Sequence, residues 1–554
     1  MKLKKLFIVL SVSLFAFIFS FTLISYDNTD FEISKNLDIF ATLFRELNIY
    51  YVDETDPGDL MNKGIEKMLQ SLDPYTTYYP ESKIEDFKLM TTGQYGGIGA
   101  LIRKSGEYVV ISEPYENFPA QKADLKAGDI IVEIDGKNTR NKSTGDISEL
   151  LKGQPNTKLS LTIQRPGEKK EIKKELTREK IQIESVPYYA MITDDIGYIR
   201  LTSFTNKASS DVKSAFKDLK NKHHMKKLIF DLRGNPGGLL IEAVHISNIF
   251  VKRGQEIVNT KGKLEQWNKT YKAMHDAIDT DIPLVILVNR SSASASEIVS
   301  GAIQDLDRGV IIGERTFGKG LVQTSRQLSY NAKLKVTTAK YYIPSGRCIQ
   351  ALDYSHRNED GSVGKIPDSL ISEFQTKNGR IVKDGGGILP DIKVKTNNPS
   401  KVTIALIRQN LIFDYVTEYC INHDSVALPG DIAFSDNEYE DFLKFLENKE
   451  FDYETRSEEK LNELIQTAEK EKYYDVAETE FNDLKKKIAH DKDKDLQLFK
   501  DEIKRYITEE ISSRYYYQKG RLETILKTDS ELDTAISVLN DTLRYNNILT
   551  GKEN

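Results

Sequence analysis

Three short stretches of this sequence carry groups that can together hydrolyse an amide bond. Asp231-Leu232-Arg233-Gly234-Asn235-Pro236-Gly237-Gly238 is a glycine-rich turn after an apolar run. Ser291-Ser292-Ala293-Ser294-Ala295-Ser296-Glu297 offers serine hydroxyls, and Gly318-Lys319-Gly320-Leu321-Val322-Gln323 offers an amine and an amide. Amide hydrolysis needs a nucleophile, an acceptor for its proton and donors for the developing oxyanion. Ser294 follows an apolar strand pattern at a helix start, where a hydroxyl is exposed and the helix dipole favours negative charge. The Ala295 N–H is placed as one oxyanion donor. Gly237 or Gly238 is placed as the other, because glycine lets a backbone turn sharply and point its N–H at a ligand. Spacing alone does not choose among Ser291, Ser292, Ser294 and Ser296. Ser291 or Ser292 also fits a helix N-cap, with Glu297 downstream.

The base is the harder assignment. His223 and His224 lie in a charged loop and His245 lies inside a helical pattern. Lysine can replace histidine where burial disfavours the ammonium. Lys319 stands between two glycines, with Phe317 beside it and Leu321-Val322 after it. In strand geometry Gln323 shares a side with Lys319 and can orient its amine. A lone lysine is usually a solvated surface residue. The combination of the three stretches is what carries the reading.

These stretches sit in a region where strands alternate with helices. Strand patterns cover Ile196 to Leu201, Lys227 to Leu232, Leu284 to Asn289 and Val310 to Gly313; helical patterns cover Ser209 to Lys220, Leu239 to Phe250 and Ser294 to Asp305. Such alternation predicts α/β crossover units with their site at strand ends. Upstream, residues 93–177 read as short strands with glycine turns, around Tyr108 to Ile111, Asp129 to Ile134 and Leu159 to Ile163, with a short helix from Ile147 to Leu151. Residues 31–90 read as helical. Leu37, Phe40, Leu43, Phe44 and Leu47 there mark one buried helix face, and Pro57 opens a second helix bearing Met61, Ile65, Met68 and Leu69. Beyond Pro399 the chain is helical and charge-rich, and its stripe Phe499, Ile503, Ile507 and Ile511 predicts packing on the protein's own core. The resulting domain plan is a leader over 1–26, a helical unit over 27–90, a small β-rich domain over 91–177, an α/β core over 178–398 and a helical region over 399–554.

With 554 residues the chain exceeds one core. A net charge of −6, from 78 basic and 84 acidic residues, speaks against nucleic-acid binding. Met1 to Lys5 is basic, and Leu6 to Ser25 is uncharged and mostly apolar. A run of about 20 apolar residues can span a bilayer, and the basic flank places the body outside the cytoplasm. Its length favours an uncleaved anchor over a cleaved signal peptide, and no cysteine near it permits a lipoprotein anchor. Only Cys348 and Cys420 are present, which establishes no disulfide. No metal-ligand spacing appears, and no metal or organic cofactor is implied.

In order and in combination these motifs resemble the C-terminal processing peptidases, or tail-specific proteases, which are serine endopeptidases of family S41 with a PDZ domain. The resemblance covers roughly residues 31–395. It includes Gly97-Ile98-Gly99, Leu125-Lys126-Ala127-Gly128-Asp129, Ala302-Ile303-Gln304-Asp305, Pro344-Ser345-Gly346-Arg347 and Gly387-Ile388-Leu389-Pro390-Asp391. It implies a crotonase-like α/β peptidase core with an inserted PDZ domain, a helical N-terminal unit and a helical C-terminal extension. It also implies Ser294 as nucleophile, Lys319 as base and Gln323 as its orienting amide. Gly97, Ile98 and Gly99 then belong to the loop that holds a peptide's C-terminal carboxylate, and the substrates are proteins with free apolar C-terminal tails. Ser292 and Cys348 depart from residues common in that family. The expected location is the cell envelope, anchored in the inner membrane and facing the periplasm or exterior, or secreted. Two alternatives stay open: a latent protease awaiting a tail or partner, and an inert PDZ scaffold. Residues 399–554 can cap the site, hold a homo-oligomer or bind an adaptor.

Overall fold

The computed structural model describes residues 27–358, 362–395 and 398–552. The predicted anchor or signal segment lies outside the described residues. Among the described residues no helix is long and apolar enough to cross a membrane.

The chain divides into compact units at Tyr78. The first holds helices Asp27–Tyr50 and Pro57–Gln70, the latter capped by Asp56, with Pro57 at its first turn. The stripe expected to be buried on the first helix is instead exposed: Leu37 by 63%, Phe40 by 46% and Leu43 by 58%. The helix that follows is 14 residues long and buries only Leu69, too little to cover a 24-residue neighbour.

In the second unit, residues 94–182 form the β-rich domain. Its antiparallel sheet runs Ala100–Ser105, Tyr108–Pro114, Ile130–Ile134, Lys158–Gln164, Ile172–Thr177. Helix Thr144–Leu151, capped by Ser143 and Asp146, closes over Val109, Ile111, Ile131 and Leu161. The chain enters and leaves this domain through one antiparallel pair, Gln94–Gly97 with Glu179–Gln182.

The core sheet contains β1 (Tyr188–Met191), β2 (Ile196–Arg200), β3 (Lys227–Asp231), β4 (Leu284–Val288), β5 (Val310–Gly313) and β6 (Ile392–Lys393), in that spatial order. All neighbours are parallel except β1 and β2. On one face lie α1 (Ala208–Lys222), α2 (Leu240–Ser247) and α3 (Ala295–Asp305), packed on Leu228, Phe230, Ile286 and Ile311. Each strand buries alternate side chains on alternate faces, so Ile229, Val285, Leu287 and Ile312 need a second cover. The far end of the chain supplies it. After α4 (Lys500–Leu526), helices α5 (Ser530–Asn540) and α6 (Thr542–Leu549) place Leu532, Ala535, Val538, Leu539 and Ile548 on that face. The C-terminal region is therefore split. Residues 402–511 hold their own core, in which Ile503, Ile507 and Ile511 are buried as predicted, while the last helices complete the α/β/α sandwich. Between the two, α4 breaks at Tyr517, whose φ/ψ of 55°/−160° is not helical.

This division predicts the cost of a substitution far from any motif. Leu539→Ala is expected to cost about 2–4 kcal/mol, as buried leucine truncations do, read as a shift in denaturant midpoint. A loss under about 1 kcal/mol, in the range of surface substitutions, would show that α5 is not part of the core.

Candidate active site

The three stretches converge because each leaves the carboxyl end of an adjacent parallel strand: the glycine turn after β3, the serine run after β4 and the lysine segment after β5. Open α/β sheets place their sites at such ends.

The glycine turn is braced by buried Asn235. Its Nδ2 donates to Leu201 O (2.9 Å), its Oδ1 accepts from Gly237 N (2.9 Å), and its carbonyl accepts from Ala293 N (3.0 Å) and Ser296 Oγ (2.9 Å). Gly237, at φ 99°, lies so close to the serine run that a Cβ would sit 2.7 Å from Ala293 O and 2.9 Å from Ser294 Cβ. The expectation that Gly237 can donate to an oxyanion needs correction: its N–H is committed to Asn235. Of the predicted donors, the N–H groups of Gly238 and Ala295 have no acceptor among the described residues.

Hydrogen bonding also separates the serines. Ser292 Oγ donates to Leu232 O (2.8 Å) and accepts from Asn289 N (2.9 Å); Ser296 Oγ donates to Asn235 O. Both are fully buried, and Ser291 is exposed on the preceding turn. Ser294 is half-buried and holds φ/ψ of 55°/−111°. A non-glycine residue there stores strain and is characteristic of functional positions. The helix starts at Ala295, so Ser294 itself is the N-cap residue, and not Ser291 or Ser292 as the spacing suggested. Tyr341, wholly buried, donates its hydroxyl to Ser294 O (3.2 Å); burial pushes that phenol well above its ordinary range.

Lys319 is half-buried. Its flanking glycines are demanded by space, since a Cβ on Gly318 would meet Ala351 Cβ at 2.4 Å and one on Gly320 would meet Gln350 N at 2.8 Å. Phe317, expected as an apolar wall, is 48% exposed. Strand Leu321–Gln327 carries a bulge between Val322 and Gln323, which interrupts the alternation used to align Gln323 with Lys319. Gln323 Nε2 donates to Thr337 Oγ1 (3.2 Å), so Oε1 is the atom an amine would use.

Sequence reasoning assigned Glu297 only to capping, yet it binds the site together. Fully buried, it accepts from Ser294 N (2.8 Å) and Lys319 N (2.9 Å) on Oε2, and from Thr316 Oγ1 (2.6 Å) and Gly318 N (2.7 Å) on Oε1. Burial pushes its carboxyl above the ordinary value, and the four donors oppose that push. The available signal was the three-residue step from Ser294 to Glu297. The donors at 316–319 belong to another strand end and are invisible in local spacing.

The β-rich domain presents the second predicted site. Gly97, Ile98 and Gly99 are buried, with Gly99 at φ 73° under Phe118. Ile98 O and Gly99 O accept from Ala120 N and Tyr115 N (2.8 Å each), while the Ile98 and Gly99 N–H groups have no acceptor among the described residues. Gly96 N donates to Glu85 Oε2 (3.2 Å). The following strand, Ala100–Ser105, is an edge of its sheet, and an edge strand is a template for another strand. One of its carbonyls, Lys104 O, already accepts from Asn410 Nδ2 (3.0 Å) of the helical region. Cys348 and Cys420 are free thiols.

Comparison with known proteins agrees with this architecture. The sequence model for Peptidase family S41 matches residues 195–355, that for a PDZ domain matches 110–165, and that for a probable PDZ-protease C-terminal helical domain matches 402–539. A carboxy-terminal-processing protease of Bartonella bacilliformis is 37% identical over 367 residues, covering 66% of this chain and 80% of that one. A probable CtpA-like serine protease of Staphylococcus aureus is 36% identical over 318 residues, covering 57% and 63%. Among solved structures, the photosystem II D1 C-terminal processing protease is 29% identical, covers 64% of this chain and 92% of that one, and has a TM-score of 0.35.

Proposed function

The chain belongs to peptidase family S41, the PDZ-bearing serine proteases of the carboxy-terminal-processing kind, and on that basis we propose that Ser294 is its nucleophile and Lys319 its general base. The observation that carries this is the Glu297 carboxylate, which takes the backbone N–H of both residues and so fixes nucleophile and base against one buried anchor. Ser294 Oγ attacks the peptide carbonyl while its proton passes to Lys319. The N–H groups of Gly238 and Ala295 receive the oxyanion. Lys319 then returns the proton to the leaving amine, and water attacks the acyl-enzyme with Lys319 again as base. Gln323 Oε1 orients the amine. The PDZ domain selects substrates by strand addition to Ala100–Ser105, with the Ile98 and Gly99 N–H groups on the tail carboxylate. The basic flank and apolar run at the N-terminus support a location outside the cytoplasm for this activity.

The test incubates the full chain and its Ser294→Ala and Lys319→Ala variants with an unfolded protein bearing a free apolar C-terminus. Fragments are read by mass spectrometry. Cleavage by the parent alone supports the assignment, and cleavage that persists in Ser294→Ala removes the nucleophile.

A latent resting state is favoured by one contact, Asn410 Nδ2 on Lys104 O at the edge strand that a tail would join. Asn410→Ala is expected to lower KM for tail-bearing substrates about threefold with kcat unchanged, the value of roughly half a neutral hydrogen bond competing with the tail. An unchanged KM shows that the contact does not compete.

A further inference from the structure

Arg233 lies two residues before Asn235, the brace of the glycine turn. It continues from buried Asp231, which accepts from Tyr198 OH (2.6 Å), Arg200 Nη1 (3.0 Å) and Arg233 Nη2 (2.7 Å). Burial pushes Asp231 upward, and the Arg233 and Arg200 guanidiniums override this and hold it well below the usual carboxylate range. Arg233 therefore spends one side of its fork at the base of its own strand end. The other side reaches across to the C-terminal region. Nη1 donates to Asp529 Oδ1 (3.0 Å) and to Glu531 Oε2, and Nη2 lies 2.6 Å from Asp529 Oδ2. All three side chains are nearly dry, with 11% of Arg233, 8% of Asp529 and 5% of Glu531 exposed.

These two acids stand at the start of α5. Asp529 Oδ1 also accepts from Glu531 N and Leu532 N (3.0 Å each), so the carboxylate that caps the helix is the one that grips Arg233. Glu531 Oε1 faces Gly313, where a Cβ would approach within 3.2 Å. Gly313 closes β5, the strand that leads to the lysine segment. Gly234 N donates to Asn289 Oδ1 (3.0 Å), which ties the clamped turn to the serine run. The helix cap therefore bears on the strand ends from which the oxyanion donor and the base emerge. Removing one partner of a buried ion pair leaves an uncompensated charge, and small displacements of catalytic groups cost large factors in rate.

We infer that Asp529 and Glu531 are positioning residues of the peptidase site: the C-terminal region, acting through Arg233, holds the glycine turn in the geometry that receives the oxyanion. This rests on the serine peptidase reading for its rate prediction, but not for its structural one. The test uses the full chain and the double variant Asp529→Asn/Glu531→Gln, with Leu539→Ala as a control that loosens α5 without touching the clamp. Backbone hydrogen exchange at residues 233–239 is measured together with kcat and KM on the tail-bearing substrate. In the double variant, exchange at 233–239 is expected to rise about tenfold while β3 stays protected, and kcat to fall roughly 10- to 100-fold with KM within twofold. The control, at equal or greater loss of stability, is expected to retain kcat within threefold. The inference is overturned if the double variant exchanges and turns over like the parent, or if the control reproduces its changes. Should the parent cleave no tail-bearing protein, the functional reading fails, and exchange at 233–239 alone still decides the clamp.

Discussion

Replacing Ser294 by alanine is expected to lower kcat/KM on a tail-bearing protein by about 10,000-fold or more, the loss that follows when a covalent route is removed. The expected residual is the small acceleration left by binding and the oxyanion donors. Ser292→Ala provides the contrast. Its hydroxyl is spent on Leu232 O and Asn289 N; Leu232 O keeps Asn235 N as a second donor, so the loss strands the Asn289 N–H and acts on stability, by about 1–3 kcal/mol. Kinetics with folded enzyme should therefore separate the two serines cleanly, by melting midpoint for one and by turnover for the other. A Ser294→Ala enzyme within tenfold of the parent would remove Ser294 as nucleophile. Removing its hydroxyl leaves the backbone bonds of Ser294 N to Glu297 and of Ser294 O to Tyr341 in place. The alanine variant is accordingly expected to fold and to serve as a substrate trap.

The crossover elements were legible because their strands are buried on both faces. Leu228, Ile229 and Phe230, and Val285, Ile286 and Leu287, are continuous apolar runs of strand length between turn signals, and all are inaccessible to water. Local spacing reached the serine run but not the choice within it, because the partners of Ser292 and Ser296 are carbonyls 60 and 61 positions away. It offered Gly237 as a donor without seeing that Asn235, two residues earlier, takes that N–H. A single bulge undid the period-two argument for Gln323. The apolar periodicity of residues 31–50 was real, yet periodicity reports amphipathicity and does not say what covers the face. The C-terminal helices were the least legible part. Leu532, Ala535, Val538 and Leu539 are an ordinary amphipathic stripe, and nothing local states that the surface they cover is the back of a sheet assembled some 220 to 350 residues earlier.

Glu297 tests the assembled site most sharply. Four groups donate to its two oxygens: three backbone N–H groups, which cannot accept in return, and a Thr316 hydroxyl whose oxygen already accepts from Ile388 N (2.6 Å). Glu297→Gln keeps the volume but turns an NH2 toward two donors. Glu297→Ala takes the acceptor from all four at once. The alanine variant is expected to lose about 3–5 kcal/mol of stability, since several donors lose their acceptor together, and the glutamine variant less, with kcat reduced roughly 100-fold in the glutamine form. The pH dependence separates positioning from mere packing. Burial raises the folded-state pKa of Glu297 above its unfolded value, so between the two values the folded chain holds the extra proton. Stability from this group then rises as pH falls through that window and declines as pH rises through the folded pKa. Activity moves the other way, since protonation removes an acceptor from the pair Ser294 N and Lys319 N or from the pair Thr316 and Gly318. Besides the acid limb that a Lys319 base gives both enzymes, kcat should therefore carry a limb at the raised pKa of Glu297, and that limb should be absent from Glu297→Gln. Identical acid profiles in both enzymes, with no limb lost in Glu297→Gln, would leave Glu297 with a packing role only.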